Sequence, residues 1–178
     1  MQVHDRDIAE FFLIALKSSD WRQQFVQLET IIAWVDEVIL RTDIPPGWML
    51  DLSIAKTEYD VAKLLGQVPT PKTEYLGASI FVAYVGRLFR DSIFGSELAA
   101  WLLRNLGDDV DPQLRVLVER PWEALDDYDL NYNLCCSNPS KTSAAELEAR
   151  SQIDSTLKLC LEHFRQYERL IPSIVTDS

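Results

Sequence analysis

Apolar residues recur at helical intervals along nearly the whole chain, and that periodicity limits the fold more than any other feature. From residue 20 to 43, Trp21, Phe25, Leu28, Ile32, Val35 and Ile39 are spaced 4, 3, 4, 3 and 4. The same spacing returns between 143 and 171 in Ile153, Leu157, Cys160, Phe164, Tyr167 and Ile171. Such intervals line one face of an α-helix, whereas a half-buried strand alternates every second residue. Ile31, Trp34 and Val38 give the first stripe a second apolar edge, which suits a central helix.

Turn and cap chemistry divides the rest. Residues 5–17 form a shorter first helix. Asp20 with Gln23 resembles a capping box for the helix over 20–43. "DIPPGW" ends that helix, because two prolines and a glycine cannot continue one. Thr57 caps the next, with Glu58 and Asp60 in its first turn and Gly66 at its stop. "LGASIFVAYVG" lies between Glu74 and Arg87 and is expected to be a buried helix, within a helix over 74–91. Ser79, Ala83 and Gly86 form a small-residue stripe on it. Ser96 caps a helix running to Gly107, and Asp111 before Pro112 is a cap followed by a first-turn proline. Pro121 interrupts that helix or starts another. "NYNLCCSNPSKT" is expected as a loop, and Ser143 with Glu146 as the capping box of the last helix. The best strand candidate, "QLRVLVER", follows Asp-Pro, which favours a helix start instead. The expectation is one all-α domain over 1–178, a bundle of about seven to eight helices with two long central ones.

Composition narrows the partners. With 47% apolar and 25% charged residues the chain has ordinary globular character. A net charge of −11 argues against nucleic acid and anionic membrane, both of which repel an acidic surface. It favours steered association with a basic protein. No apolar run reaches the length of a membrane span, and Asp5, Asp7 and Glu10 stand where a signal peptide would be basic. Cytoplasm is the expected compartment. Three cysteines, two of them adjacent, do not make a secreted disulfide framework.

The familiar catalytic signatures are missing. There is no Gly-Lys pair for a phosphate loop, no G-x-G-x-x-G, no H-E-x-x-H and no nucleophile elbow. His4 and His163 are the two histidines, too few for a histidine-rich hydrolase centre. Cys160 and His163 sit three apart on a helix, but Cys135 and Cys136 are too close to complete a zinc set, and Cys160 belongs to the apolar stripe.

What remains is acidity of an unusual pattern. "DDVD" at 108–111 and "DDYD" at 126–129 share a form, and residues 97–129 hold nine acids against three bases, a local net of −6. Asp127, Asp129, Asn131 and Asn133 alternate as calcium-loop ligands do. Yet Tyr132 stands where such a loop needs glycine, and Asn138 where it needs a bidentate glutamate. A magnesium site of the diphosphate-binding type needs carboxylates one turn apart on facing helices, one residue more than the spacing here. A plainer account makes Asp111 a cap, Asp108 and Asp109 loop residues, and the later acids a solvated face beyond a short helix. The contact-surface account adds the aromatics. Trp122, Tyr128 and Tyr132 interleave with Glu119, Glu123, Asp126, Asp127 and Asp129, and aromatic anchors among carboxylates suit a basic protein partner. The functional expectation is thus a non-catalytic binding protein without cofactor or metal. It would be an immunity- or inhibitor-type module that occludes a basic partner such as a toxin. The alternatives are a self-associating helical module, forming a homo-oligomer, and a divalent-metal enzyme built on the aspartate clusters.

Overall fold

In a computed structural model, residues 4–18, 26–68, 75–91, 93, 95–104, 106, 110–135 and 139–172 are described, with backbone alone at 128–135, 139–146 and 149. All regular structure among them is helical. The helices are α1 (Asp5–Ser18), α2 (Leu28–Arg41), α3 (Gly47–Ser53), α4 (Glu58–Leu65), α5 (Leu76–Arg90), α6 (Ser96–Arg104), α7 (Arg115–Cys135) and α8 (Pro139–Phe164), followed by a 3-10 helix, Arg165–Leu170. The two longest, α7 and α8, have 21 and 26 residues. "QLRVLVER" is part of the entry into α7 and not a strand.

The chain divides into two compact units, residues 1–81 with 169–178 and residues 82–168, the boundary falling inside α5. In the first unit, α1 supplies the aromatic centre. Phe11 and Phe12 are fully buried, with ring centroids 5.2 Å apart. Phe12 lies 5.1 Å from Trp34 of α2, and Phe11 lies 6.4 Å from Phe81 of α5. These tilted arrangements are the ones aromatic quadrupoles favour. Asp7 folds back to accept the His4 backbone N–H at 2.7 Å, so α1 opens on a side-chain cap.

Helix α2 starts later than its apolar stripe suggests. Gln27 stands before it without a side-chain cap, and the Asp20–Gln23 box lies outside the described residues. Its buried face is Ile31, Trp34, Val35 and Val38, while Leu28, Ile32 and Ile39 are only half-buried. The expected second edge is thus the main one, because Trp34 reaches the aromatics of α1. "DIPPGW" breaks the chain as expected, but Pro46 also starts α3, a short helix missed because seven residues show too few turns of periodicity. Thr57 caps α4, its Oγ1 accepting the Asp60 N–H at 3.1 Å. Helix α4 stops at Gly66, which keeps a right-handed φ of −66°.

Helix α5 is buried at every position from Leu76 to Gly86. It opens after Tyr75, which takes a left-handed φ of 42°, a conformation costly for a residue with a Cβ. The Tyr75 carbonyl accepts from the Ser79 N–H at 3.1 Å and from the Ser79 hydroxyl at 3.0 Å. The Gly77 N–H donates to Glu10 Oε2 at 3.0 Å. A Cβ at position 77 would stand 2.6 Å from Glu10 Cβ and 2.7 Å from the Asp7 carbonyl oxygen. In the second unit, a Cβ at position 86 would stand 3.3 Å from Leu161 Cδ2 of α8. The stripe Ser79, Ala83 and Gly86 is buried within the chain, so it does not offer an open face for self-association.

The second unit is built on the pairing of α7 with α8, with α6 against both. Three expectations are corrected here. Ser96 is the first residue of α6, and Gly95, whose carbonyl accepts the Ala99 N–H, precedes it. Pro121 neither ends nor starts a helix: α7 runs through it, its ring buried beside Val118, Ala124 and Leu125 on the packed face. The proline removes the N–H that the Leu117 carbonyl would accept, and its ring crowds that carbonyl. Helix α8 begins at Pro139, so Ser143 is inside it and caps nothing; a proline at a first helical position needs no N–H. Ile153, Leu157, Cys160 and Phe164 are buried as the stripe requires, and Arg90 and Glu168 form an ion pair that ties α5 to the 3-10 helix.

Gly77→Ala gains about 1 kcal/mol of helix propensity but overpacks against α1 and displaces the Glu10 contact. The expected result is a net loss of about 2 kcal/mol, seen as a lower urea midpoint with unchanged slope.

Candidate functional site

Helix α7 carries most of the acidic residues singled out by sequence. Asp111 leads into it: its Oδ1 accepts the Gln113 N–H at 2.9 Å and its carbonyl accepts from Leu114 and Arg115. Asp108 and Asp109 lie outside the described residues. Along α7, Glu119, Glu123, Asp126 and Asp127 are spaced by four, three and one, so they share one face. Val118, Pro121, Ala124 and Leu125 form the opposite, buried face. The pattern is an amphipathic helix whose outer stripe is anionic.

The aromatic component is arranged differently from the expectation. Trp122 is half-buried and packs on the cluster of Ala100, Ala124, Leu125 and Ile153. The guanidinium of Arg104 lies 3.9 Å from its ring centroid, a cation–π contact that covers the indole from α6. Trp122 is therefore spent on joining α6 to α7 and α8. Glu119 is also engaged, accepting from Arg115 Nε at 2.6 Å one turn earlier. The exposed carboxylates of Glu123, Asp126 and Asp127 have no ion-pair partner among the described residues.

The alternation Asp127, Asp129, Asn131, Asn133 falls within α7, which continues to Cys135. A loop was expected from Asn131 onward; pairing with α8 sustains the helix where local propensity would not. A helix turns about 200° every two residues, so alternate positions fall on different faces and cannot gather round one ion as calcium-loop positions do. The register also places positions 128 and 132 four and eight residues past Ala124, in step with the buried positions, while 129 is offset from the outer stripe. The side chains of Tyr128, Asp129 and Tyr132 lie outside what is described.

The cysteine–histidine pairing does not form. Cys160 is fully buried, and burial pushes its thiol up to about 12 from an ordinary 9.0. His163 is exposed, its ring edge-on to Phe164 at 5.4 Å. No group of three His, Cys, Asp or Glu side chains among the described residues is placed to hold a metal ion. Burial likewise raises the Tyr84 phenol, an effect opposed by the nearby Arg87.

One surface escaped the sequence reading. An open groove of about 560 Å³ lies where the end of α3 meets α4, lined by Asp51, Ile54, Ala55, Lys56, Asp60, Lys63, Leu64 and Gln67. Ile54 is exposed, as are Leu50 of α3 and Tyr59 of α4. No sequence signal marked it: residues 51–67 hold three acids and two bases, and only the lining brings Asp51 and Asp60 together with Lys56 and Lys63. Comparison of the chain with protein-family models, curated proteins and solved structures found no match. No helix among the described residues is long and apolar enough to cross a membrane.

The Cys160 thiol stays neutral in the folded chain up to about pH 12, whereas the unfolded thiol ionises near its ordinary 9.0. Its contribution to stability is complete below that value and is lost as pH rises towards 12. Denaturation midpoints of wild type and Cys160→Ala measured from pH 8 to 11 should converge with rising pH.

Proposed function

We infer that the chain is a non-catalytic binding module whose α7 face meets a basic protein. Its carrying observation is the trio Glu123, Asp126 and Asp127: exposed, on one helical face, and unpaired among the described residues. Charges so arranged gain little for the fold, since the nearest support would be long surface pairs of small value. They are suited to steering a cationic surface into contact and to pairing with its lysines and arginines on arrival. The helix beneath them is held by α8 and by the Arg104–Trp122 contact, so the charges sit on a supported element. Binding of this kind acts by covering the partner's surface, as an immunity or inhibitor protein covers a toxin.

The triple substitution Glu123→Gln, Asp126→Asn and Asp127→Asn tests the reading. A partner captured from the native host by the wild-type chain should associate about tenfold more slowly with the variant at low salt, with a flatter salt dependence. Circular dichroism should show the fold intact. Equal association rates for the two chains at every salt concentration would exclude this face as the contact.

A further inference from the structure

The groove at α3 and α4 is lined by charges of both signs. Two acids, Asp51 and Asp60, and two bases, Lys56 and Lys63, line it together, giving a local balance of zero in a chain of net charge −11. Neither lysine nor Asp51 forms an ion pair with the described residues. Between the charges lie apolar groups, Ile54, Ala55 and Leu64, and Ile54 is 73% exposed. Leu50 of α3 and Tyr59 of α4 are also exposed, at 48% and 77%.

Two copies of a strongly anionic protein repel each other over most of their surfaces. They can approach where local charge cancels and where each copy offers both signs. A two-fold interface has the further requirement that a patch complement itself. A basic partner would be held off by the two lysines and an acidic one by the two aspartates. We propose that this groove is where two copies of the chain associate about a two-fold axis. Ile54 and its apolar neighbours form the centre, and Lys56 and Lys63 of each copy oppose Asp51 and Asp60 of the other. The residues of this interface belong to α3 and α4 and include none of the α7 stripe.

Sedimentation equilibrium across a concentration series gives the test. The wild-type chain should show a concentration-dependent shift from monomer to dimer mass. Ile54→Asp places a new charge at an exposed position, so the fold is retained and the dimer constant should weaken at least tenfold. A charge-reversal pair identifies the surface. Lys56→Glu with Lys63→Glu makes one patch wholly acidic, and Asp51→Lys makes another mainly basic while leaving the Asp60 cap of α4 untouched. The acidic variant alone should be monomeric, and its mixture with the basic variant should return dimer mass. A wild-type chain that stays monomeric up to its solubility limit would overturn the proposal. So would a dimer whose strength is unchanged by Ile54→Asp, since that dimer would use another face.

Discussion

Every turn of α5 from Leu76 to Gly86 is buried, and both units draw on this one helix for their cores. A helix enclosed on all sides cannot carry large side chains everywhere, because neighbouring backbones have to come within contact distance. The sequence answers with glycine where the approach is tightest: Gly77 beneath α1, and Gly86 beneath Leu161 of α8. Large residues, Phe81 above all, fill the directions where neighbours stand further off.

Helix α7 solves the opposite problem. It has one partnered face and one face in water, and Glu119, Glu123, Asp126 and Asp127 lie on the latter. A carboxylate on the packed face would have to lose hydration without a counter-charge, at a cost no local gain would offset. Proline is accepted on that packed face because one missing N–H costs less than exposing Val118, Ala124 and Leu125 would. The acidic stripe is thus partly a consequence of packing, and within it Glu123, Asp126 and Asp127 have no ion-pair partner among the described residues.

Much of the architecture was legible from periodicity. The apolar spacing of α8, the buried character of "LGASIFVAYVG" and the Thr57 cap all follow from single-helix rules that tertiary contacts reinforce. Helix ends were less legible. Ser96 and Ser143 have cap chemistry, yet Ser96 is already the first residue of α6, after Gly95, and Ser143 lies one turn inside α8, which begins at Pro139. The candidate surface was half visible. Acid spacing along α7 could be read directly, whereas the capture of Trp122 by Arg104 joins residues from two helices and leaves no mark on either segment. Alternation between 127 and 133, which Tyr132 and Asn138 already ruled out as a calcium loop, carries no convergence either: period two gathers side chains only in an extended or looped chain, and this segment is helical.

The contact at Gly77 has a consequence for how the sequence can change over time. Two groups occupy the place a side chain would take, the Glu10 side chain and the Asp7 main-chain carbonyl. Glu10 can be replaced; a carbonyl cannot. Compensation across the 67 positions separating Glu10 from Gly77 would therefore be incomplete. Any heavier residue at 77 obliges α1 to move as a body, carrying Phe11 and Phe12 with it. Among descendants of this chain, glycine at 77 should outlast the residue at position 10, and the first sign of its loss should be a rearranged aromatic centre.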